Sequence, residues 1–155
     1  VNLGGIESPG LTSSPAIAEM VVDLMKDAGE EFVDKKDWNP IRPARPHIAH
    51  MTHLERKLLC DVNPDYARII CRCENVSEGE IIAEVHAPIP AHTYDAIKRR
   101  TWLGTGRCQG GFDRPRVVAI LARELGVTPF EITKRGEGSE YLFRTTKDTE
   151  VADVN

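Results

Sequence analysis

The residues of this chain best equipped for chemistry sit in two short stretches, "CRCE" at residues 71 to 74 and "TGRCQGGFDRPR" at residues 105 to 116. Cys71, Cys73 and Cys108 supply three thiols. Thiolates bind soft or borderline metals, so such a group in the reduced state points to zinc or an iron–sulfur cluster. Cys71 and Cys73 are two residues apart. On an extended segment that spacing turns both sulfurs to the same side, and it is too tight for the two to pair readily with each other. Cys108 follows after 34 residues and leads into Gln109-Gly110-Gly111, whose glycines let the backbone turn closely around an inorganic core. Three sulfurs leave a fourth ligand open.

Asp113 stands directly before Arg114-Pro115, where a helix is expected to begin. A ligand there lies at a helix N-terminus, where free N–H groups and the macrodipole favour negative charge. Asp is equally a preferred N-cap, so a structural role is open to it with or without a metal. As a ligand, its harder oxygen favours ferric over ferrous iron relative to a thiolate and makes zinc more acceptable. His86 and His92, flanking "APIPA", offer imidazole as another fourth ligand, although histidines in such turns are more often simply exposed. Residues 71 to 123 carry eight Lys/Arg and six acids, a net +2 that leaves -6 for the rest of the chain. A basic zone lowers the cost of holding an anionic cluster, but solvated faces of amphipathic helices give the same tally.

Short helices must position these loops. Thr52 with Glu55, and Ser77 with Glu80, have the capping-box spacing and open helices through "HLERKLLCD" and "EIIAEVHA". A further helix runs through "AHTYDAIKRRTW", with Tyr94, Ile97 and Thr101 on one face. Another runs through "RPRVVAILARELG", with Val117, Ile120, Leu121 and Leu125 on one stripe and Gly126 as its stop. Thr128, Pro129 and Glu131 mark a last short helix, and "EYLFRTT" reads as a strand. Upstream, Ser14 as N-cap, Pro15 at the first position and Gly29 as stop bound a helix with Ile17, Met20, Val21, Leu24 and Met25 at helical spacing. From Glu30 to His50 the pattern dissolves into a proline-rich linker. Its trio His47, His50 and His53 lacks cysteine or carboxylate support and reads as surface histidines. Cys60 reads as a buried core thiol, and Trp38 and Trp102 as packing anchors.

The fold class expected is therefore mainly α: a small bundle of short helices joined by tight turns, with cysteine loops. A hydrophobic fraction of 41% in 155 residues permits one ordinary core, and a net charge of -4 with pI near 5.7 argues against nucleic acid as a partner. No apolar run approaches the roughly 18 residues of a membrane-spanning helix.

The segment "YARIICRCENVSEGEI", with "RRTWLGTGRCQGGFDRPRVV" downstream, closely resembles the small [2Fe-2S] domain named after bacterioferritin-associated ferredoxin. In its larger relatives that domain is fused behind an FAD-dependent dehydrogenase of the glycerol-3-phosphate dehydrogenase type. The resemblance covers roughly residues 66 to 142. It implies metal ligands at Cys71, Cys73, Cys108 and position 113, where the family has cysteine and this chain has Asp113. "GIESPGLTSSPAIAE" resembles the last flavin-contacting loop and helix of FAD-dependent amine and hydroxy-acid oxidoreductases, which implies that Gly10, Leu11 and Thr12 lie near a flavin. The Gly-x-Gly-x-x-Gly turn that holds an FAD pyrophosphate is absent from these 155 residues, so this piece alone is expected neither to bind FAD nor to be catalytic.

The resulting organisation is a flavin-domain remnant at 1–29, a linker at 30–51, the [2Fe-2S] domain at 52–145 and a tail at 146–155. The function implied is electron transfer in the C-terminal region of an FAD-dependent dehydrogenase. Its partners would be the rest of its own flavin domain and an acceptor protein or quinone, in the cytoplasm. A metal-free docking module and a structural zinc site are the alternatives.

Overall fold

The computed structural model describes residues 1–147; the tail expected at 146–155 lies almost wholly outside the described residues. The chain divides into two compact units between Pro43 and Ala44.

The first unit is built on α1 (Gly10–Asp27). The helix begins five residues before the expected start at Pro15, and Ser14 does not cap it. Pro15 is inside the helix and lacks the N–H that would reach the Leu11 carbonyl. The Ser14 hydroxyl donates to that carbonyl instead, at 2.7 Å, which is why the helix tolerates the proline. The expected stop is observed: Gly29 is left-handed (φ +93°), with Gly29 N–H bonded to the Lys26 carbonyl and Glu30 N–H to the Met25 carbonyl. No residue of α1 is buried. Residues 30 to 43 form no regular element, and Trp38 is exposed rather than a packing anchor.

The second unit is mainly helical. Its elements are α2 (His53–Val62), β1 (Ile69–Cys71), β2 (Val76–Ser77), α3 (Glu78–Val85), α4 (Tyr94–Thr101) and α5 (Arg114–Leu125), with 3-10 turns at Ile48–His50, Pro64–Ala67 and Pro129–Glu131. Both expected capping boxes are formed, at Thr52/Glu55 and Ser77/Glu80, and a third closes on Thr128/Glu131. The helices α3, α4 and α5 pack on one another around Val76, Ile81, Ile97, Leu103, Val117, Leu121 and Ile132, each at most 1% exposed. Tyr94, Ile97 and Thr101 share the buried face of α4, as their spacing predicts.

Several expectations fail locally. The antiparallel β1–β2 hairpin, pairing Ile69 with Ser77 and Cys71 with Val76, was not foreseen. Its strands are two and three residues long, too short for a period-2 signal. "EYLFRTT" is not a strand; Glu140 alone pairs, in an isolated bridge to Thr133. Cys60 is half-buried on α2, a helix with no buried residue, and is not a core thiol. Trp102 is exposed and left-handed (φ +64°), ending α4 rather than anchoring it.

Residues 45 to 50, assigned to the linker, pack into the second unit. Ile48 is buried, Arg45 pairs with Glu84, and His47 Nδ1 lies 2.6 Å from Glu80 Oε1. Glu80 also closes the Ser77 box, while Glu84 meets Arg100, and Glu78 is held between Arg68 and Arg123. These partners explain how α3 buries three glutamates.

Candidate metal centre

The hairpin and the loop between α4 and α5 bring the four residues singled out by sequence into two neighbouring pairs. Cys71 ends β1, is 1% exposed and lies beside the Asp113 carboxylate. Cys73, in the hairpin turn, is exposed and meets the half-buried thiol of Cys108. The two sulfurs of the Cys-x-Cys motif thus sit in different surroundings, one inside the core and one at the surface.

Backbone amides are aimed at both inner and outer sulfurs. Burial pushes the Cys71 thiol up, opposed by hydrogen bonds from the Gly104 and Glu74 amides and reinforced by Asp113. The Cys108 thiol is held below its ordinary value, first by the Gly110 amide, then by the Cys73 side chain and the Phe112 amide. The sequence arranges this with "TGRCQGG": Gly110 is left-handed (φ +80°), as is Gln109 (φ +50°), so consecutive N–H groups curl back over the Cys108 sulfur. Gly106 passes so close to the Cys73 side chain that any Cβ there would collide with it.

Asp113 precedes α5 but does not cap it with its side chain. It is 1% exposed. Its Oδ1 accepts a hydrogen bond from Tyr94 Oη at 2.9 Å, and its Oδ2 is buried with no hydrogen-bond partner. A capping role therefore does not account for this carboxylate, and an orphaned buried oxygen needs another explanation. Desolvation first, and then the Asp113 bond, push the Tyr94 hydroxyl well above its ordinary value, so it stays a donor.

A cleft of about 380 Å³ opens beside these groups, lined by Ile70, Cys73, Cys108, Phe112, Asp113 and three arginines, Arg72, Arg107 and Arg116. Three of the eight basic residues of the 71–123 segment thus line the cleft, which suits an anionic occupant. Phe112, 85% exposed, forms its rim. His86 and His92 do not line it; His86 pairs with Glu124. Sequence reasoning placed Tyr94 only on the inner face of a helix. No local signal ties it to Asp113, 19 residues away.

Among the described residues, no three His, Cys, Asp or Glu side chains converge on a point that could hold one metal ion. The groups present are instead two pairs, Cys71 with Asp113 and Cys73 with Cys108. A binuclear cluster takes its protein ligands two to an iron, so the arrangement fits such a group better than a single tetrahedral zinc. The amide donors, the three lining arginines and the unpartnered Asp113 oxygen fit it as well.

The first-turn residues Gly10, Leu11 and Thr12 belong to the other unit; Leu11 is 89% exposed and Thr12 Oγ1 donates to the Pro9 carbonyl.

Comparison with known proteins agrees with this chemistry. Residues 69–123 match the model of the BFD-like [2Fe-2S] binding domain. The chain is 47% identical over 147 residues to a glycerol 3-phosphate dehydrogenase of Caloramator mitchellensis, an alignment covering 95% of this chain and 31% of that protein. The chain thus spans about a third of the length of this relative. No solved structure gives a significant match. Among the described residues, no helix is long and apolar enough to cross a membrane. The paired thiols, the amide-lined glycine turn and the helix-start position of Asp113 all fall within the segment, Ile69 to Arg123, that matches the BFD-like [2Fe-2S] binding domain.

Proposed function

We propose that the second unit holds a [2Fe-2S] cluster on Cys71, Cys73, Cys108 and Asp113 and serves as the electron-transfer domain of a longer FAD-dependent dehydrogenase. The observation that carries this reading is the two-by-two arrangement of the four side chains, with the buried Asp113 Oδ2 left without a protein partner. When bound, such a cluster accepts and releases single electrons. The chain's own part is to hold the ligands, aim amides at the sulfurs and offset negative charge with Arg72, Arg107 and Arg116.

Residues 1–29 fit the end of a flavin domain, with Gly10, Leu11 and Thr12 at the flavin and residues 30–43 leading to the second unit that carries the [2Fe-2S] domain. The relative of Caloramator mitchellensis supports glycerol 3-phosphate as the substrate of the longer protein. In the longer protein the flavin would take the hydride from substrate and give its proton to solvent, and a cluster held by these residues would supply a one-electron route to a protein or quinone acceptor. Four free cysteines suit a reducing compartment such as the cytoplasm.

Anaerobic reconstitution of the chain with ferrous iron and sulfide tests the proposal. The expected product holds two irons and two sulfides per chain and absorbs at roughly 400 to 600 nm, from thiolate-to-iron charge transfer. A colourless protein with one tightly held zinc, or one that retains no metal, refutes it.

A further inference from the structure

We infer that Tyr94 is a positioning residue for iron at Asp113: it occupies Oδ1 and thereby presents Oδ2 alone as the metal-binding atom. The inference rests on the ligand assignment proposed above and goes beyond it by fixing which oxygen binds and what holds it.

Tyr94 projects from the buried face of α4 and is 3% exposed. Its hydroxyl donates to Asp113 Oδ1 at 2.9 Å, while the Cys71 thiol, itself one of the proposed ligands, lies against the same carboxylate. The hydroxyl has little room to swing away. Gly104 and Gly110 both approach it so closely that a Cβ at either would strike Oη. Tyr141 packs edge-on against the Tyr94 ring at 5.7 Å, and the Arg114 guanidinium lies over both rings, 5.8 Å and 5.3 Å from their centres. The α4 face, the two glycines and this aromatic pair therefore build a socket for one hydroxyl, and the hydroxyl clamps one carboxylate oxygen.

The second oxygen is treated oppositely. Oδ2 is fully buried, has no partner, and belongs to a side chain that lines the cleft with Cys73 and Cys108. A buried carboxylate that the fold wanted only for packing or capping would have both oxygens satisfied. Clamping one and orphaning the other is what monodentate ligation requires, because a free carboxylate can rotate or chelate. The hydrogen bond to Oδ1 also draws electron density from the ligand, which stabilises the reduced form of the metal and compensates for the hard oxygen donor.

The test uses the whole chain, reconstituted anaerobically, unaltered and as Tyr94→Phe, with Tyr141→Phe as the control that removes a neighbouring hydroxyl not bonded to the carboxylate. Iron and sulfide content, the electron paramagnetic resonance spectrum of the reduced protein, the reduction potential and iron loss to a chelator are measured. Tyr94→Phe is expected to shift the g values, move the potential to more negative values and release iron roughly ten- to a hundredfold more readily, the range for losing a partner of a metal ligand. Tyr141→Phe leaves all three unchanged.

Unaltered protein labelled with 13C-aspartate gives a measurement that does not depend on a variant folding: infrared spectra should show the widely split carboxylate stretches of one-oxygen binding. Narrow, chelate-type splitting, or Tyr94→Phe protein with the same g values, potential and iron retention as the unaltered chain, overturns the role of Tyr94 while leaving the cluster in place. Failure of the unaltered chain to take up iron and sulfide overturns the ligand assignment and this inference with it.

Discussion

Two helices that obey the same amphipathic rule end in opposite surroundings. The 18-residue α1 carries Ile17, Met20, Val21, Leu24 and Met25 at helical spacing and buries none of its residues. The eight-residue α3 buries six, three of them glutamates. The difference lies in what each helix meets. α3 sits between the hairpin and the faces of α4 and α5, and arginines and a histidine arrive from four other segments to pair its carboxylates. A stripe of apolar residues states which face could be buried; burial itself needs a second surface.

Substitutions in the two helices sharpen the comparison. Ile81→Ala, at a side chain with no exposed surface, is expected to cost about 3 kcal/mol in a denaturant melt of the second unit, the middle of the range for isoleucine truncation in a packed core. A loss below about 1 kcal/mol would show that α3 is not the packed element described here.

Ser77→Ala removes the side-chain cap of α3: the buried Glu80 N–H loses its acceptor, and Glu80 Oε2 keeps only the residue-77 amide of its two donors from that residue. It should cost about 1 to 2 kcal/mol. Thr52→Ala deletes the same device from exposed α2; water replaces the lost partner there, and the melt should shift by less. Equal shifts for the two variants would break the argument that burial, not the capping motif, sets the cost.

Ile17→Ala should have the smallest effect, leaving the unfolding of the second unit unchanged within about 0.5 kcal/mol, as for substitutions outside a core. A larger shift would mean that α1 is covered after all.

Much of the second unit could be read from the chain because its signals are local. Capping boxes mark the starts of α2 and α3, a proline and a terminal glycine bound α5, and the spacing of Tyr94, Ile97 and Thr101 reveals α4. Where two local preferences competed, the simpler reading failed. Proline's preference for the first turn points to a helix start at Pro15, yet the Ser14 hydroxyl lets the helix run through it. The preference of large aromatics for cores points to Trp102 as an anchor, yet it is the exposed residue at which α4 turns.

By itself the sequence determined the thiol chemistry, the glycine turn that carries Cys108 and the helix start that follows Asp113, since residue type and spacing dictate these through short-range geometry. Only the tertiary structure decided that Cys71 is buried and Cys73 exposed, that three arginines line one cleft, and that Tyr94 bonds one oxygen of Asp113 while the other lacks a hydrogen-bond partner. Those outcomes depend on segments 19 or more residues apart meeting through the packing of α3, α4 and α5, and no local pattern in the chain encodes which side chains such packing will bring together.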